Sequence, residues 1–280
     1  MFLKNLKIIS LILLFLINVS CSKKIDKETL ILEKNIDAQI LESWNAGLKE
    51  LEGGDALFAA KKFNEVEILF PQSEWAPKST LMAAYAYYSQ DYYSDTINEI
   101  MIFIKKYPNH EDMDYANFLM GMAYYEQIVD EKKDLKSITM AKNQFEKVVK
   151  NYPNTDYALN AKFKLDLIAD ILASKEMYIG RYYFNKKKWI PAINRFKSIV
   201  TNYDTTIYIE EALHRLVEIY YLIGLEEESK KYAQLLGYNY QSSKWYENSY
   251  SVFDKEYKLK KIEKSNDENI LIKKFKSLFE

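Results

Sequence analysis

Small and large apolar positions recur along the chain in one register. Gly47, Ala59, Phe63 and Pro71 stand at offsets 0, 12, 16 and 24; Ala84, Thr96, Ile100 and Pro108 repeat those offsets, and so do Gly180, Ala192, Phe196 and Asp204. Gly121, Ala141, Phe145 and Pro153 keep the pattern after an eight-residue insertion near Val129–Lys136, and Val217, Ser229 and Ala233 form a degenerate fifth unit. Each unit predicts two helices. A small residue in the first lets the second approach closely, and a large apolar residue one turn beyond the Ala fills the gap between neighbours. The steps Phe70-Pro71, Tyr107-Pro108, Tyr152-Pro153 and Tyr203-Asp204 mark the end of the second helix, three of them with a Pro that cannot continue it. One such pair is marginal alone; stacked pairs bury a continuous core.

This register resembles the tetratricopeptide repeat, a helix–turn–helix unit that packs a small residue of one helix against an Ala of its partner. The resemblance implies an all-α solenoid of about five tetratricopeptide repeats over residues 37–253. Composition agrees: seven Gly and five Pro in 280 residues are too few to punctuate the many short strands of a sandwich or barrel. With 48% hydrophobic and 28% charged residues the chain can bury a core, and disorder is excluded for most of it. The formal charge of −1 gives no global field that would favour nucleic acid or an anionic membrane.

The amino terminus has a different pattern. Lys4 and Lys7 precede an apolar run from Ile8 to Val19, and the small residue Ser20 stands directly before Cys21, which reads as a secretory signal peptide over 1–20. A run of that length is too short to span a hydrocarbon core of about 30 Å. The small residue before the Cys resembles a bacterial lipobox, although Asn18 stands where that pattern usually has Leu. The resemblance implies cleavage before Cys21 and acylation of its thiol, and Ser22 after it implies release toward the outer membrane. A plain signal peptide with an incidental Cys is the alternative. Cys21 is the only Cys, so an intrachain disulfide and a Cys-bearing zinc site are excluded. Residues 21–36 read as a charged tether, and removal of 1–20 leaves 37 basic against 40 acidic residues, or −3.

Tyr is the other regularity, at 24 of 280 residues. Tyr87, Tyr124, Tyr183 and Tyr220 each stand three residues after the small position, in the pairs Tyr87-Tyr88, Tyr124-Tyr125, Tyr182-Tyr183 and Tyr220-Tyr221. Adjacent helical residues point about 100° apart, so one member of a pair can enter the core while the other lines a groove. In one reading both pack between helices; in the other Tyr85, Tyr88 and Tyr125 line a groove for an extended peptide, where flat aromatics give contact area at low entropic cost.

Several longer stretches carry a more specific resemblance. FIKKYPNHEDMDYANFLMGMAYYEQI, FEKVVKNYPNTDYALNAKFKLDLI, LASKEMYIGRYYFNKKKWIPAINRFKSIVTNYDTT and EEALHRLVEIYYLIGLEEESKKYAQLLGYN are similar to the BamD family, lipoprotein subunits of the outer-membrane β-barrel assembly machinery. The similarity runs from about Asp37 to Phe253. It implies amino-terminal repeats associated with unfolded outer-membrane protein clients and carboxy-terminal repeats that hold the periplasmic domain of a BamA-like β-barrel protein. It also implies accessory lipoproteins as partners and a place on the periplasmic face of the outer membrane, held through the acyl anchor. Arg195 falls in the AINRF segment and is carried over as the BamA contact. Arg181 and Arg215 join it because the chain has only three Arg among its 39 basic residues, all within 35 positions, and a planar fork bridges carboxylates or carbonyls as a Lys cannot. Intrachain salt bridging between repeats is the alternative for each.

Little else suggests chemistry. His214 has Glu210, Glu211 and Glu218 at helical neighbours, yet one helix closes poorly around a metal, and a repeat-interface or surface His is the expectation. His110 follows a Pro-Asn turn, as a capping or solvated residue. Lys186-Lys187-Lys188 fits the turn between two helices. No phosphate-cradling loop, nucleophile elbow or zincin helix is present, so no cofactor, metal or nucleic acid is expected and the chain reads as a non-enzymatic scaffold. A periplasmic adaptor for cell-envelope maintenance is the second reading. In the charged tail 254–280, Leu271, Phe275, Leu278 and Phe279 form one apolar stripe beside Lys273, Lys274 and Lys276, expected either to fray in solvent or to fold on a partner subunit or the membrane surface.

Overall fold

A computed structural model describes residues 35–128 and 135–254. The signal peptide, Cys21, the tether to residue 34, most of the 129–136 insertion and the tail stripe lie outside the described residues. Within them the chain forms eleven helices and no strand. These are α1 (Ile36–Glu52), α2 (Ala56–Leu69), α3 (Trp75–Ser89), α4 (Tyr93–Lys106), α5 (Met113–Glu126), α6 (Leu135–Asn151), α7 (Asp156–Asn185), α8 (Trp189–Asn202), α9 (Ile209–Leu222), α10 (Glu226–Asn239) and α11 (Lys244–Phe253). Every helix packs against the next in the chain, and α1, α3, α5 and α7 also touch in succession. This is the stacking of a tetratricopeptide solenoid.

The small positions are where helices meet. A Cβ on Gly47 would lie 2.8 Å from the Phe63 ring, on Gly121 2.7 Å from Phe145 and on Gly180 2.6 Å from Phe196. Those three Phe are fully buried. Ala84 and Ile100 share a cluster in the second unit, and in the fifth the Ser229 hydroxyl donates to the Val217 carbonyl at 2.8 Å. All five units thus close on the register read from the sequence. Seven positions after the small residue the chain turns with positive φ, at Gly54 (84°), Asp91 (64°), Lys187 (56°) and Gly224 (81°). Only Gly adopts that geometry freely, and Asp is among the residues that tolerate it. Lys187, the middle of the three-Lys run, is held there as Lys188 N–H donates to the Tyr183 carbonyl at 2.9 Å.

Each second helix ends on an aromatic residue. Phe70, Tyr107, Tyr152, Tyr203 and Tyr240 donate their N–H groups to the carbonyl four residues back, at 2.8–2.9 Å. The Tyr107, Tyr152, Tyr203 and Tyr240 rings then pack into the clusters. Pro after three of them is a stop that the aromatic residue has already made.

α7 is the departure from regularity. It runs 30 residues, with no Gly or Pro before Gly180 to break it. Its first half packs on α6 through Ala158, Ala161 and Ile168, and its second half on α8 through Met177. The spacing between Tyr152 and Tyr203 is 51 residues, against 37 between Phe70 and Tyr107. The 14 extra residues lie within α7, which has 30 residues against 15 in α3.

Candidate functional site

Two faces bring the expected residues together. The first lies on α3, α5 and the start of α7. Tyr85 is exposed on α3, three residues before Tyr88. Tyr115 on α5 stacks obliquely on Tyr157 of α7, with ring centroids 5.3 Å apart, and Phe118 meets Tyr157 at 5.5 Å. Burial pushes the Tyr115 hydroxyl far up, and the Tyr157, Tyr85 and Tyr88 phenols add to it, while Tyr88 and Tyr115 pack on one cluster. Burial, with Glu126, Asp91 and Tyr85 nearby, likewise raises Tyr88.

Tyr88 and Tyr125 are placed more deeply than Tyr85. Tyr88 packs against Tyr93 at 5.8 Å inside the cluster shared by the second and third repeats. Tyr125 joins the cluster between the third repeat and α7, with the Lys164 ammonium 4.3 Å from its ring centroid. The adjacent pair Tyr87-Tyr88 divides between two consecutive clusters rather than between core and groove. Tyr182-Tyr183 does split, with Tyr182 exposed and Tyr183 packed. Tyr115 and Tyr157 escaped the sequence reading because they stand outside the paired positions.

The second face is the ion-pair lattice of the fourth and fifth repeats. Arg181 on α7 grips Glu211 on α9 through two nitrogens, its Nε 2.8 Å from Oε1. Arg215 reaches the same carboxylate at 3.4 Å and Glu218 at 2.7 Å, and its guanidinium lies 5.0 Å over the Phe184 ring. Burial would raise the Glu211 carboxyl, but the hydrogen bond from Arg181 and the charges of Arg181 and Arg215 outweigh it and hold the group below its ordinary 4.5. Glu218 is lowered too, with burial opposed by His214 and Arg215. His214 is buried, its Nδ1 2.9 Å from Ser249 Oγ and its ring against Trp245 of α11, so it is a repeat-interface residue.

Arg195 is different. Its recorded bonds to Glu176 of α7, at 3.1 and 3.2 Å, both use Nη1. The side chain is 43% exposed and opens onto a shallow depression with Tyr183, Ile190, Pro191 and Asn194. Arg181 and Arg195 both bridge neighbouring helices with nearly half of each side chain exposed, at 48% and 43%, while Arg215 pairs along its own helix α9. His110 accepts the Asp112 N–H at 3.2 Å and caps the approach to α5. Among the described residues no group of three or more His, Cys, Asp or Glu could hold a metal, and no helix is long and apolar enough to cross a membrane.

A family profile described as "YfiO: Outer membrane lipoprotein" matches residues 37–235. An outer membrane protein assembly factor BamD from Rickettsia prowazekii is 37% identical over 243 residues, covering 87% of this chain and 94% of the relative. Another from Caulobacter vibrioides is 39% identical over 234 residues, covering 84% and 76%. Among solved structures, the TPR2AB domain of yeast Sti1 in complex with a pHSP90 peptide aligns with 77% of this chain and 82% of its own at 13% identity. Its TM-score of 0.43 is too low to add to the helix pairing described above.

Proposed function

This chain belongs to the YfiO family of outer membrane lipoproteins, whose curated relatives are BamD assembly factors, and from that premise we propose how its two faces serve outer membrane protein assembly. A role in that assembly is the level at which family membership supports the function. The finer reading is a non-catalytic scaffold that holds the periplasmic domain of a BamA-like barrel protein at its carboxy-terminal repeats and unfolded clients at its amino-terminal ones. Cys21 carries the acyl anchor in this reading, so the solenoid works at the periplasmic face of the outer membrane.

The observation that carries it is the Tyr115–Tyr157 ring contact across α5 and α7, with Tyr88 of α3 packed on the same cluster as Tyr115 and Tyr85 exposed three residues before Tyr88. An unfolded barrel segment alternates apolar and polar side chains and carries aromatics, so it matches a row of flat rings with polar tips better than a charged face. Tyr85 is the exposed member that such a segment meets first, with Tyr88 behind it; Tyr125 serves from the next repeat with Lys164 over its ring. For the barrel partner, Arg195, Arg181 and Arg215 are the contacts, and the Glu211 carboxylate that the last two share ties α7 to α9.

A photo-crosslinker placed in turn at Tyr85 and at Tyr238, in protein extracted with its membrane partners, tests the client half. Crosslinks to unfolded barrel peptides are expected from Tyr85, and crosslinks from Tyr238 alone would refute the assignment. Identification of co-purifying proteins tests the other half. A large β-barrel protein with soluble periplasmic repeats is expected; peptidoglycan enzymes or trans-envelope motor subunits would favour a different adaptor role.

A further inference from the structure

The carboxy-terminal end of the solenoid exposes a face that every earlier repeat covers. In the first unit Phe63 is covered by Ala83 and Ala86 of the next helix, and in the third Phe145 by Ala158 and Ala161 of α7. At the end, α10 buries only Ser229 and Leu236, and α11 only Ser249. The two helices cross closely, since a Cβ on Gly237 would lie 2.8 Å from the Tyr246 ring. Beside that crossing lies an open groove of about 470 Å³ whose lining includes Ala233, Gly237, Tyr238, Tyr246, Tyr250 and Phe253, with the polar Lys230, Gln234, Gln241 and Ser249 among them. Tyr238 is 85% exposed there. A terminal repeat with an apolar outer face needs a cap to stay soluble, and the groove falls within the range of about 300–1,000 Å³ that binding sites use.

The chain itself carries a segment of matching chemistry. Phe253 lines the groove and the described chain leaves it at Asp254, with residues 255–280 following. Leu271, Phe275, Leu278 and Phe279 set four large apolar side chains on one helical face, with Lys273, Lys274 and Lys276 beside them. The sixteen residues 255–270 reach up to about 50 Å when extended, several times the roughly 10 Å between packed helices, so the stripe can return to the groove. Tethering at this length also gives an effective concentration on the order of millimolar, which a separate partner must outcompete.

We propose that residues 271–279 dock through their apolar stripe in the groove between α10 and α11. The occupant is this chain's own tail, in place of the partner subunit or membrane surface that its stripe alone suggested. The full chain carrying Cys21→Ser has no other thiol, so a Cys pair reports without background. With Ala233→Cys and Leu278→Cys, a short bismaleimide should link the two positions within one chain, well above a control pair of Ala233→Cys and Lys264→Cys. Phe275→Glu in the first pair should abolish that excess and, in the otherwise unchanged chain, lower Tm by about 2–4 °C. Linkage no greater than the control, or linkage only between two chains, overturns the proposal. So does a Phe275→Glu chain with unchanged linkage and Tm, or linkage that drops when vesicles containing phosphatidylglycerol are added, which would assign the stripe to the bilayer.

Discussion

Gly180→Leu tests the register that underlies the whole fold. A Cβ at position 180 would stand 2.6 Å from Phe196 Cε1 and 2.9 Å from Cζ, and Phe196 has no exposed surface into which to retreat. Real Cβ contacts essentially never come that close, so α7 and α8 must move apart or the ring must leave its rotamer. Overpacking of this kind costs about 1–3 kcal/mol, and the gain in helix propensity over Gly returns about 0.8–1 kcal/mol. For Leu, whose further carbons have no space, a net loss of about 2 kcal/mol is expected, or a Tm lower by roughly 4–8 °C for a domain of this size. Gly180→Ala should lose about 0–1 kcal/mol. Gly53→Ala is the opposite control: its nearest neighbours are carbonyl oxygens at 3.4 Å and its φ is −73°, so it should gain about 0.4–1 kcal/mol. Phe196→Leu should cost stability alone yet relieve Gly180→Leu, giving a coupling of at least about 1 kcal/mol. Circular dichroism melts of the four variants and the pair decide it, with amide exchange locating the loss in α7 and α8. An unchanged melt for Gly180→Leu, or additive effects in the pair, would refute the close approach.

Three further outcomes are expected. Cys21→Ala should give protein that fails to sediment with outer membrane after a high-salt wash, because only acyl chains supply lasting attachment, at about 0.8 kcal/mol per buried CH₂. Arg195→Glu should cost no more than about 1 kcal/mol in a urea melt, since its pair with Glu176 is half exposed, while capture of the barrel partner drops; equal loss of both would make the residue structural. Glu211→Gln should lower stability at pH 7 by about 1–2 kcal/mol, and the difference from the parent should shrink as pH falls below 4.5. The sign follows from a folded pKa held below the unfolded one: the contribution is complete above 4.5 and is lost as pH falls through the folded value, so a difference that grew in acid would reject the Arg181–Glu211–Arg215 bridge.

What the sequence discloses is the part that depends on close approach. Gly47, Gly121 and Gly180 can be placed in advance because only a missing side chain admits Phe63, Phe145 and Phe196 at those distances, and the constraint repeats wherever the hairpin repeats. The Tyr pairs are less legible. Adjacency fixes the angle between Tyr87 and Tyr88 but not what each meets, and both sides of an inner helix face a repeat. Tyr115 and Tyr157 become neighbours only because α5 and α7 stack, a contact between residues 42 positions apart that no local spacing encodes. The Arg–Glu lattice lies between these cases: the scarcity of Arg marks the positions, while Glu211 is identified as the shared partner only once α7 and α9 are packed.

The same logic explains why the fourth unit reads correctly although the helix that carries it does not. The register needs only Gly180, Ala192, Phe196 and the turn at Lys187, all within the second half of α7 and α8. The preceding half obeys a different partner, α6, and its Ala158, Ala161 and Ile168 are spaced to fill that cluster. At 100° per residue the mean direction of Ala158, Ala161 and Ile168 lies about a third of a turn from that of Ala173, Met177 and Gly180, so the two demands fall on different sides of one helix and no break is required. A continuous helix bends far less easily than a turn, since a kink there would break backbone hydrogen bonds with no Pro or Gly to accommodate it. Tyr157 on the tyrosine face and Arg181 in the arginine lattice are therefore joined by about 36 Å of uninterrupted helix, 24 residues at 1.5 Å each, rather than by a hinge.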